Sequence, residues 1–420
     1  MKRVIFHVDV NSAFLSWEAC YRIHHLGGKQ DLRKMVSAVG GDQEKRHGII
    51  LAKSIPAKKF HIQTGETVVS AKEKCPDLTL VPPNYDLYNK SSKALIKLLS
   101  EYTDKIEQYS IDEAFLDMTG CCDDSERTAH EIKDRVHAQL GFTVNIGVSE
   151  NKLLAKMASD FMKPDRVYTL WKSEIQTKMW PLPVSELFYV GHASLNKLRK
   201  LGIHTIGELA ATDPGILQAH MKSQGLLIWQ YANGIDETAV IDTPPPAKGY
   251  GNSLTTPQDV TEPGIAKQYL LSLSETIGAR LRADSVKIGV VSISLRDWDL
   301  RFYGHQITLS VPTDLTMEIY HAACQCLSEL WDGTPLRHLG IHTSSVTTDQ
   351  YRQMQLFDTV DYEKAKRMEK TVDRIRKKYG MDSIKRACFL PSAGNMEMDH
   401  MAGGISREKR TVDYTKERIL

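Results

Sequence analysis

The sequence predicts an α+β fold divided among several domains, and three observations support this prediction. The first 170 residues or so alternate short apolar runs with helical segments, residues 171–235 contain only short helices, and 250–346 follows the order strand, helix, strand, strand, helix, strand. The chain has 420 residues, which is room for roughly two to four domains. Contents of 41% hydrophobic and 25% charged residues are ordinary for a globular protein, and they exclude a disordered or collagen-like chain.

The charges nearly cancel over the whole chain. Lys and Arg number 54 against 52 Asp and Glu, a net charge of +2. There is therefore no global basic field, and a nucleic-acid partner would have to be held by local patches. The excess is uneven, since residues 248–349 carry a net charge of −3 and residues 359–420 carry +5.

Cysteine content and hydropathy predict a reduced, cytoplasmic protein that does not enter a membrane. Seven cysteines are too few for a disulfide scaffold at this length, and neither Cys121-Cys122 nor the pair Cys324 and Cys326 has Cys-x-x-Cys spacing. His7 interrupts the first apolar run, so no export signal is expected. No apolar stretch approaches the roughly 18 residues that cross a bilayer.

The first strand is predicted at Val4–Val10, a nearly continuous apolar run with β-branched residues that suits burial on both faces. Asn11 or Ser12 can cap the following helix, which ends at Gly27-Gly28. The pattern then predicts apolar runs separated by turns over 36–75, a strand at 78–81, a helix over 84–102, an extended segment over 106–118 that is interrupted at 110–114, a strand at 142–148 and a helix over 150–162.

The pattern changes after about residue 170. Short helices fill 171–235, and Thr243–Gly249 has the composition of a stiff, extended linker. The next segment predicts a βαββαβ sandwich of one sheet and two helices, with its helices at 263–283 and 314–330. The charged tail contains a predicted helix at 361–379 and a Gly-rich end.

Three acidic residues suggest the chemistry. Asp9 lies at the carboxyl end of the first strand, where an ionised carboxylate is costly unless it is paired or bound to a cation; a helix N-cap is the alternative. Asp112 and Glu113 can converge only if the chain turns near Ser110, and a solvated turn is their alternative. Three carboxylates that meet need divalent cations, and hard oxygen ligands select Mg²⁺ with open positions for substrate phosphates.

Longer motifs carry a family resemblance. They are Val8-Asp-Val-Asn-Ser-Ala-Phe-Leu-Ser-Trp-Glu18, Ser110-Ile-Asp-Glu-Ala-Phe-Leu-Asp117, Gly147-Val-Ser-Glu-Asn-Lys-Leu-Leu-Ala-Lys-Met-Ala-Ser-Asp160 and Lys163-Pro-Asp165. In these motifs the chain resembles the Y-family DNA polymerases, and in particular the bacterial UmuC and DinB group, over about residues 1–357. The resemblance implies a right-hand polymerase. Its expected parts are a palm over 1–170 with small fingers inserted at about 20–75, a helical thumb over 171–238, a linker over 239–249, a βαββαβ little finger over 250–347, and a clamp-binding peptide with a charged tail over 348–420.

The resemblance also implies a metal site. Asp9, Asp112 and Glu113 match the family's catalytic, metal-binding acids, and Val10 matches a position whose backbone carbonyl binds a metal. Two Mg²⁺ ions are expected, with Mn²⁺ able to substitute, because two-metal sites activate a nucleophile and stabilise a leaving group. Asn11 departs from the second aspartate that many members have.

The remaining nucleotide contacts are implied in the same way. Phe14 matches the family's steric gate, with a core aromatic as the alternative. Lys58, Lys156 and Lys163 match cations near the triphosphate, with exposed lysines lacking a ligand as the alternative. Lys58 stands where members have an arginine, so it cannot form a bidentate fork. Ile55 replaces a triphosphate-contacting tyrosine.

Two further segments resemble binding elements. Residues 188–203 resemble a helix-hairpin-helix, in which backbone N–H groups and side chains contact DNA phosphates. Its DNA-binding residues would be Gly191, Lys197 and Arg199, although Tyr189 replaces an expected glycine. The peptide Gln353-Met-Gln-Leu-Phe357 resembles a sliding-clamp-binding peptide through Gln353, Leu356 and Phe357, with a strand end as the alternative. Tethering to a clamp would supply affinity that a little finger without net positive charge lacks.

The predicted function is template-directed addition of dNTPs to a primer 3′ end, at low fidelity, in translesion synthesis and the SOS response. One alternative is a catalytically silent DNA- or clamp-binding protein, which the retained acids and Phe14 disfavour. A nucleotidyltransferase without a template is disfavoured by the predicted thumb and little finger. Primer–template DNA, dNTPs and a sliding clamp are the expected partners, and the protein is expected to be a monomer.

Overall fold

A computed structural model describes residues 3–41, 48–349, 361–390, 398–402 and 412. Its contacts divide into two units, and the chain passes from the first to the second after Pro244. Among the described residues, no helix combines the length and the apolar character needed to cross a bilayer.

The strands of the first unit form two sheets. They are β1 (Ile5–Val10), β2 (Ser37–Gly40), β3 (Ile50–Lys53), β4 (Thr79–Val81), β5 (Ile106–Gln108), β6 (Glu113–Asp117), β7 (Val144–Ser149) and β8 (Val167–Thr169). The larger sheet has the order β5-β6-β1-β7-β8, and the smaller has the order β3-β2-β4. Strand β1 lies at the centre of the larger sheet, antiparallel to β6 and β7. Its apolar side chains are fully buried, as the continuous apolar run predicts.

The described residues of the first unit also form ten α-helices. They are α1 (Ala13–Leu26), α2 (Ile55–Lys58), α3 (Val68–Lys74), α4 (Tyr85–Leu99), α5 (Ser125–Leu140), α6 (Lys152–Asp160), α7 (His192–Lys200), α8 (Ile206–Ala211), α9 (Pro214–Met221) and α10 (Ser223–Ala232). Helix α1 ends at Gly27, whose φ of 70° is left-handed. The predicted cap is wrong in detail, because the Ser12 side chain makes no capping hydrogen bond.

The sequence pattern did not predict α5 and β8, and over 36–75 it predicted apolar runs and turns without the helices α2 and α3. Helix α5 carries the usual signals at both ends. The Asp124 side chain accepts a hydrogen bond from the Arg127 N–H at 3.0 Å, and Gly141 ends the helix with a φ of 80°. Its buried residues Ala129, Ile132 and Val136 recur at helical spacing.

The second unit has the predicted order of elements. They are β9 (Gly251–Val260), α11 (Pro263–Ala283), β10 (Lys287–Asp297), β11 (Phe302–Thr313), α12 (Thr316–Leu330) and β12 (Leu336–Thr347). All strand pairs in the sheet β11-β10-β12-β9 are antiparallel. Both helices contact the sheet, where Leu270, Ile277 and Ile319 join its core. A further helix, α13 (Tyr362–Tyr379), matches the helix predicted in the tail and forms ion pairs with α11.

Candidate active site

The three predicted acids lie at one end of the central strand. Asp9 in β1 pairs in register with Glu113, the first residue of β6. Asp112 precedes it in the turn, and its carbonyl accepts a hydrogen bond from the Val10 N–H at 3.0 Å. The Ser110 hydroxyl donates to the Asp112 carboxylate at 2.6 Å. The chain therefore turns where the sequence requires it to turn for the acids to converge.

Two of the predicted triphosphate-binding lysines contact these acids directly. Lys156 Nζ lies 2.6 Å from Glu113 Oε2 and 3.6 Å from Asp9 Oδ2. Lys163 Nζ lies 2.7 Å from Asp9 Oδ2 and 2.8 Å from Asp160 Oδ1. Lys156 is largely buried, whereas Lys163 is about one-third exposed at 32%. Asp9 and Glu113 thus share one ammonium group, which places their oxygens close together.

The acids differ in how well they are neutralised. Burial alone would raise the pKa of Glu113, but hydrogen bonds with His7 and Lys156 outweigh it and hold the pKa at about 2. Burial raises the pKa of Asp112, and the charges of Asp9 and Glu113 raise it further against the opposing Ser110 hydrogen bond. Among the described residues, no Lys or Arg lies within 4 Å of Asp112. The site therefore holds one acid that lacks a direct cationic partner.

The chemistry of these acids suits a bound divalent cation. Carboxylate and carbonyl oxygens are the ligands that hard cations prefer, and an under-neutralised carboxylate favours a bound positive charge. Within the described ranges, however, no three His, Cys, Asp or Glu side chains are grouped closely enough to form a ready metal site. In the structure, Lys156 and Lys163 contact the oxygens of Glu113 and Asp9 instead.

A cleft of about 520 Å³ opens beside the acids. Asp9, Val10 and Asp112 line it together with Phe14 and a set of residues from the end of β3, from α2 with its N-cap, and from the segment after α6: Lys53, Ser54, Ile55, Lys58, Lys163 and Pro164. Acids and cations thus border a single cavity. Lys53 was not among the lysines predicted to bind the triphosphate. Burial and the nearby Lys58 lower the pKa of Lys53.

Phe14 combines the two interpretations that the sequence left open. Its ring stacks on Tyr88 with a centroid distance of 4.5 Å and an interplanar angle of 8°, and it meets Tyr85 edge-on at 5.8 Å. It also lines the cleft and is only partly buried. Buried Tyr88 therefore fixes the plane of a ring whose other surface faces the cavity.

Polar residues around the acids were missed from the sequence. His7 is fully buried, and its ring nitrogens contact Glu113 Oε2 at 3.1 Å and Ser159 Oγ at 2.8 Å. Burial lowers the pKa of His7, opposed by the Glu113 hydrogen bond and reinforced by Lys156. The position of His7 beside the acids could have been predicted, because His7 and Asp9 are two residues apart on a strand and their side chains therefore share a face.

Asn11, which departs from the family's second aspartate, has a positioning role. Its side-chain oxygen accepts hydrogen bonds from the Asp165 N–H at 2.9 Å and the Thr143 hydroxyl at 3.0 Å. Its amide nitrogen donates to Asn145 Oδ1 at 3.1 Å. Asn11 thereby ties the end of β1 to the segment that carries Lys163.

The helix-hairpin-helix segment lies among the short helices of the first unit and does not line the acid cleft. Gly191 is the N-cap of α7, and Lys197 and Arg199 are exposed in its last turn. Tyr189 has a φ of 72°, in the left-handed region that favours glycine. The backbone therefore keeps the conformation expected of a glycine although the side chain has changed. The clamp-peptide residues Gln353, Leu356 and Phe357 lie outside the described residues.

Comparisons with known proteins agree with this architecture. A model described as the impB/mucB/samB family matches residues 8–160, and a model described as the C-terminal domain of that family matches 247–356. A DNA polymerase IV of Clostridium acetobutylicum is 44% identical over 392 residues, covering 93% of this chain and 99% of the relative. A DNA polymerase IV of Acetivibrio thermocellus is 38% identical over 402 residues, covering 94% and 99%.

A solved structure supports the fold independently. A Y-family DNA polymerase chimera matches with a TM-score of 0.71 and 21% identity, covering 82% of this chain and 100% of its own. The fold class is that of a Y-family DNA polymerase, as the motifs predict. The chain belongs to the impB/mucB/samB family, the DinB and UmuC type of Y-family polymerase. Membership of this family implies dependence on divalent metal ions.

Proposed function

We propose that the chain adds dNTPs to a primer 3′ end on a DNA template, with phosphoryl transfer at Asp9, Asp112 and Glu113. It is a low-fidelity, DNA-directed DNA polymerase of translesion synthesis and DNA repair. The observation that carries the assignment of the site is that Asp9, Asp112 and Glu113 lie at one end of the central strand, where Asp9 and Asp112 line a cleft that also contains lysines. Phosphoryl transfer requires this combination, because it depends on positioning and charge neutralisation more than on covalent catalysis.

Asp9, Asp112, Glu113 and the Val10 carbonyl would hold two Mg²⁺ ions, with Mn²⁺ able to substitute. Bound ions of this kind lower the pKa of the primer hydroxyl and neutralise the triphosphate and the leaving pyrophosphate. Glu113, with its pKa at about 2, presents an ionised carboxylate at any physiological pH. His7 Nε2 donates a hydrogen bond to this carboxylate and thereby orients it.

The lysines exchange partners when substrate binds. Lys156 and Lys163 neutralise Asp9 and Glu113 in the structure, and in the loaded enzyme their ammonium groups turn to the triphosphate together with Lys58. Lysine suits this exchange, because its charge is a point at the end of a flexible stem. The ring of Phe14 lies under the sugar and leaves no space for a ribose 2′-hydroxyl.

The remaining assignments concern DNA and the division of the chain. The thumb consists of residues 171–238. Its residues Gly191, Lys197 and Arg199 contact the phosphates of the DNA backbone. The palm is 1–170 with fingers at about 20–75, the linker is 239–249, and the little finger is 250–347. The exposure of Lys197 and Arg199 supports their role.

A primer-extension assay in Mg²⁺ tests the assignment of the acids. Asp112→Ala should abolish extension on a primer–template. Asp104→Ala, which removes an exposed carboxylate from the turn before β5, should leave extension unchanged. If Asp112→Ala extended primers like wild type, the proposed site would be wrong, and the catalytically silent DNA- or clamp-binding protein would be the better hypothesis.

We further propose that Gln353, Leu356 and Phe357 bind a sliding clamp, and that the protein is a cytoplasmic monomer. The clamp assignment rests on sequence. Leu356→Ala with Phe357→Ala should remove clamp stimulation of synthesis without changing synthesis on DNA alone, and unchanged stimulation would contradict it. Light scattering after size exclusion checks the monomer, since a mass of twice 47.4 kDa would refute it.

A further inference from the structure

The solvent-facing side of α13 carries a stripe of positive charge. The 18-residue helix presents six exposed cations; the first five are three or four residues apart and the sixth is four residues after the fourth, so they share one side of the helix. We call this set the basic face of α13; it consists of Lys364, Arg367, Lys370, Arg374, Lys377 and Lys378. At a rise of about 1.5 Å per residue, the stripe is roughly 21 Å long.

The opposite side of α13 holds acids and is fixed to the second unit by ion pairs. Arg282 of α11 contacts Glu369 and also Asp373, the latter through Nε at 2.6 Å and Nη2 at 3.1 Å. Arg376 faces the same way and donates to Glu275 at 2.7 Å. Two of the three acidic residues of α13 are therefore used internally, and the charge signs are separated between its two sides.

The basic face has little negative charge to balance it. Among the described residues, no carboxylate lies within 4 Å of any of the six cations. Glu363 and the N-cap Asp361 are exposed acids near the first cations, but Asp361 accepts from the Lys364 backbone N–H, and Arg367 Nε donates to the backbone carbonyl of Glu363 at 3.3 Å. A freely solvated helix usually interleaves the two signs, because like charges three or four residues apart repel one another. On the basic face of α13 the six cations still repel one another, and a bound polyanion would reduce this repulsion.

We propose that the basic face of α13 binds the phosphate backbone of nucleic acid without reading sequence. The face lies in a unit whose βαββαβ part, at 248–349, has a net charge of −3, so α13 supplies a positive charge that this part lacks on balance. Ion pairs fix the helix that carries the cations, and this rigidity lowers the entropic cost of binding. A membrane surface fits less well, because an interfacial helix needs an apolar face and the inward face of α13 is occupied by ion pairs.

The test compares two triple variants of the full chain that each remove three positive charges from an exposed helix face. The first is Lys370→Gln, Arg374→Gln and Lys377→Gln on α13. The matched control is Lys90→Gln, Lys93→Gln and Lys97→Gln on α4, which are also exposed and span the same length of helix. Fluorescence anisotropy measures affinity for a primer–template duplex over a series of salt concentrations. Melting curves confirm that both variants fold.

The α13 variant should weaken DNA binding about tenfold or more near 0.1 M salt. The slope of log affinity against log salt should become shallower by about two to three, one for each phosphate that the protein no longer neutralises. Single-turnover nucleotide addition from pre-bound DNA should not change, which separates this inference from the proposed active site. An unchanged slope, or an equal reduction of affinity in the α4 control, would overturn the proposal. So would a variant that binds DNA normally but no longer binds vesicles of anionic lipid.

Discussion

Replacing Arg282 by methionine should detach α13 from the second unit. Arg282 is 5% exposed and provides the positive charge between Glu369 and Asp373. Glu369 is nearly as buried, at 7%, and it also accepts a hydrogen bond from the Thr316 N–H at 3.0 Å. Methionine has a similar length and no charge, so it fills the space while leaving Glu369 without its buried partner.

The free energy of unfolding should fall by about 3–5 kcal/mol, the range for a buried ion pair that loses one member. Burial raises the pKa of Glu369 while Arg282 opposes that shift, so removing Arg282 raises the pKa further. The folded variant then holds its proton more tightly than the unfolded chain does. Its stability should therefore recover as pH falls and Glu369 becomes neutral, and should decrease again as pH rises.

Urea denaturation at several pH values measures the effect, and limited proteolysis within 361–390 reports whether α13 has come loose. Arg280→Met is the matched control, because Arg280 lies two residues earlier on the same helix but is exposed. Arg282→Met combined with Glu369→Gln should recover much of the stability, since the unpaired charge is then absent. If Arg282→Met unfolded at the same urea concentration as Arg280→Met, the buried network would not hold α13 in place.

Three further variants test the first unit. Phe14→Ala should raise incorporation of ribonucleotides relative to deoxyribonucleotides by about 10–200-fold, the scale of a size-selective contact, in single-nucleotide primer extension; unchanged discrimination would remove the gate assignment. Asn11→Ala should raise the KM for dNTP more than it lowers kcat, because the segment bearing Lys163 loses its hydrogen bonds, and an unchanged KM would contradict that role. Asp112→Asn, with a chelator present, should melt at a higher temperature than wild type at neutral pH. This advantage should shrink as pH falls through the raised pKa of Asp112, and a lower melting temperature would refute it.

Local patterns were sufficient to predict much of the fold. The continuous apolar run of β1 fixes a central strand, and the helical and alternating periods between 250 and 346 predict six elements that the structure contains in that order. The turn before Glu113 followed from chemistry, because adjacent acids cannot share a face of a regular strand. Helix α5 was missed although its capping residues and buried stripe follow the usual rules.

The contacts of the lysines could not be predicted in the same way. Lys156 was expected near a triphosphate, and its position on α6 is compatible with that role, but the structure pairs it with Glu113, which is 43 residues away in sequence. A long side chain can reach several partners, and the sequence gives no distance among them. The inward ion pairs of α13 could not be predicted for a related reason. Helix prediction looks for an apolar stripe, whereas this helix buries Glu369 and Arg376.

A net charge of +2 therefore says little about where this protein attracts phosphate. In the first unit, Lys156 and Lys163 neutralise Glu113 and Asp9, whereas Asp112 has no cation beside it among the described residues. The proposed triphosphate would take over these lysines when it binds. In the second unit, the acids that would balance α13 are paired internally with Arg282, and its six outward cations remain for an external anion. In both units, the charge that remains for a ligand depends on which acidic side chains are paired within the protein. Packing determines this pairing, and composition does not.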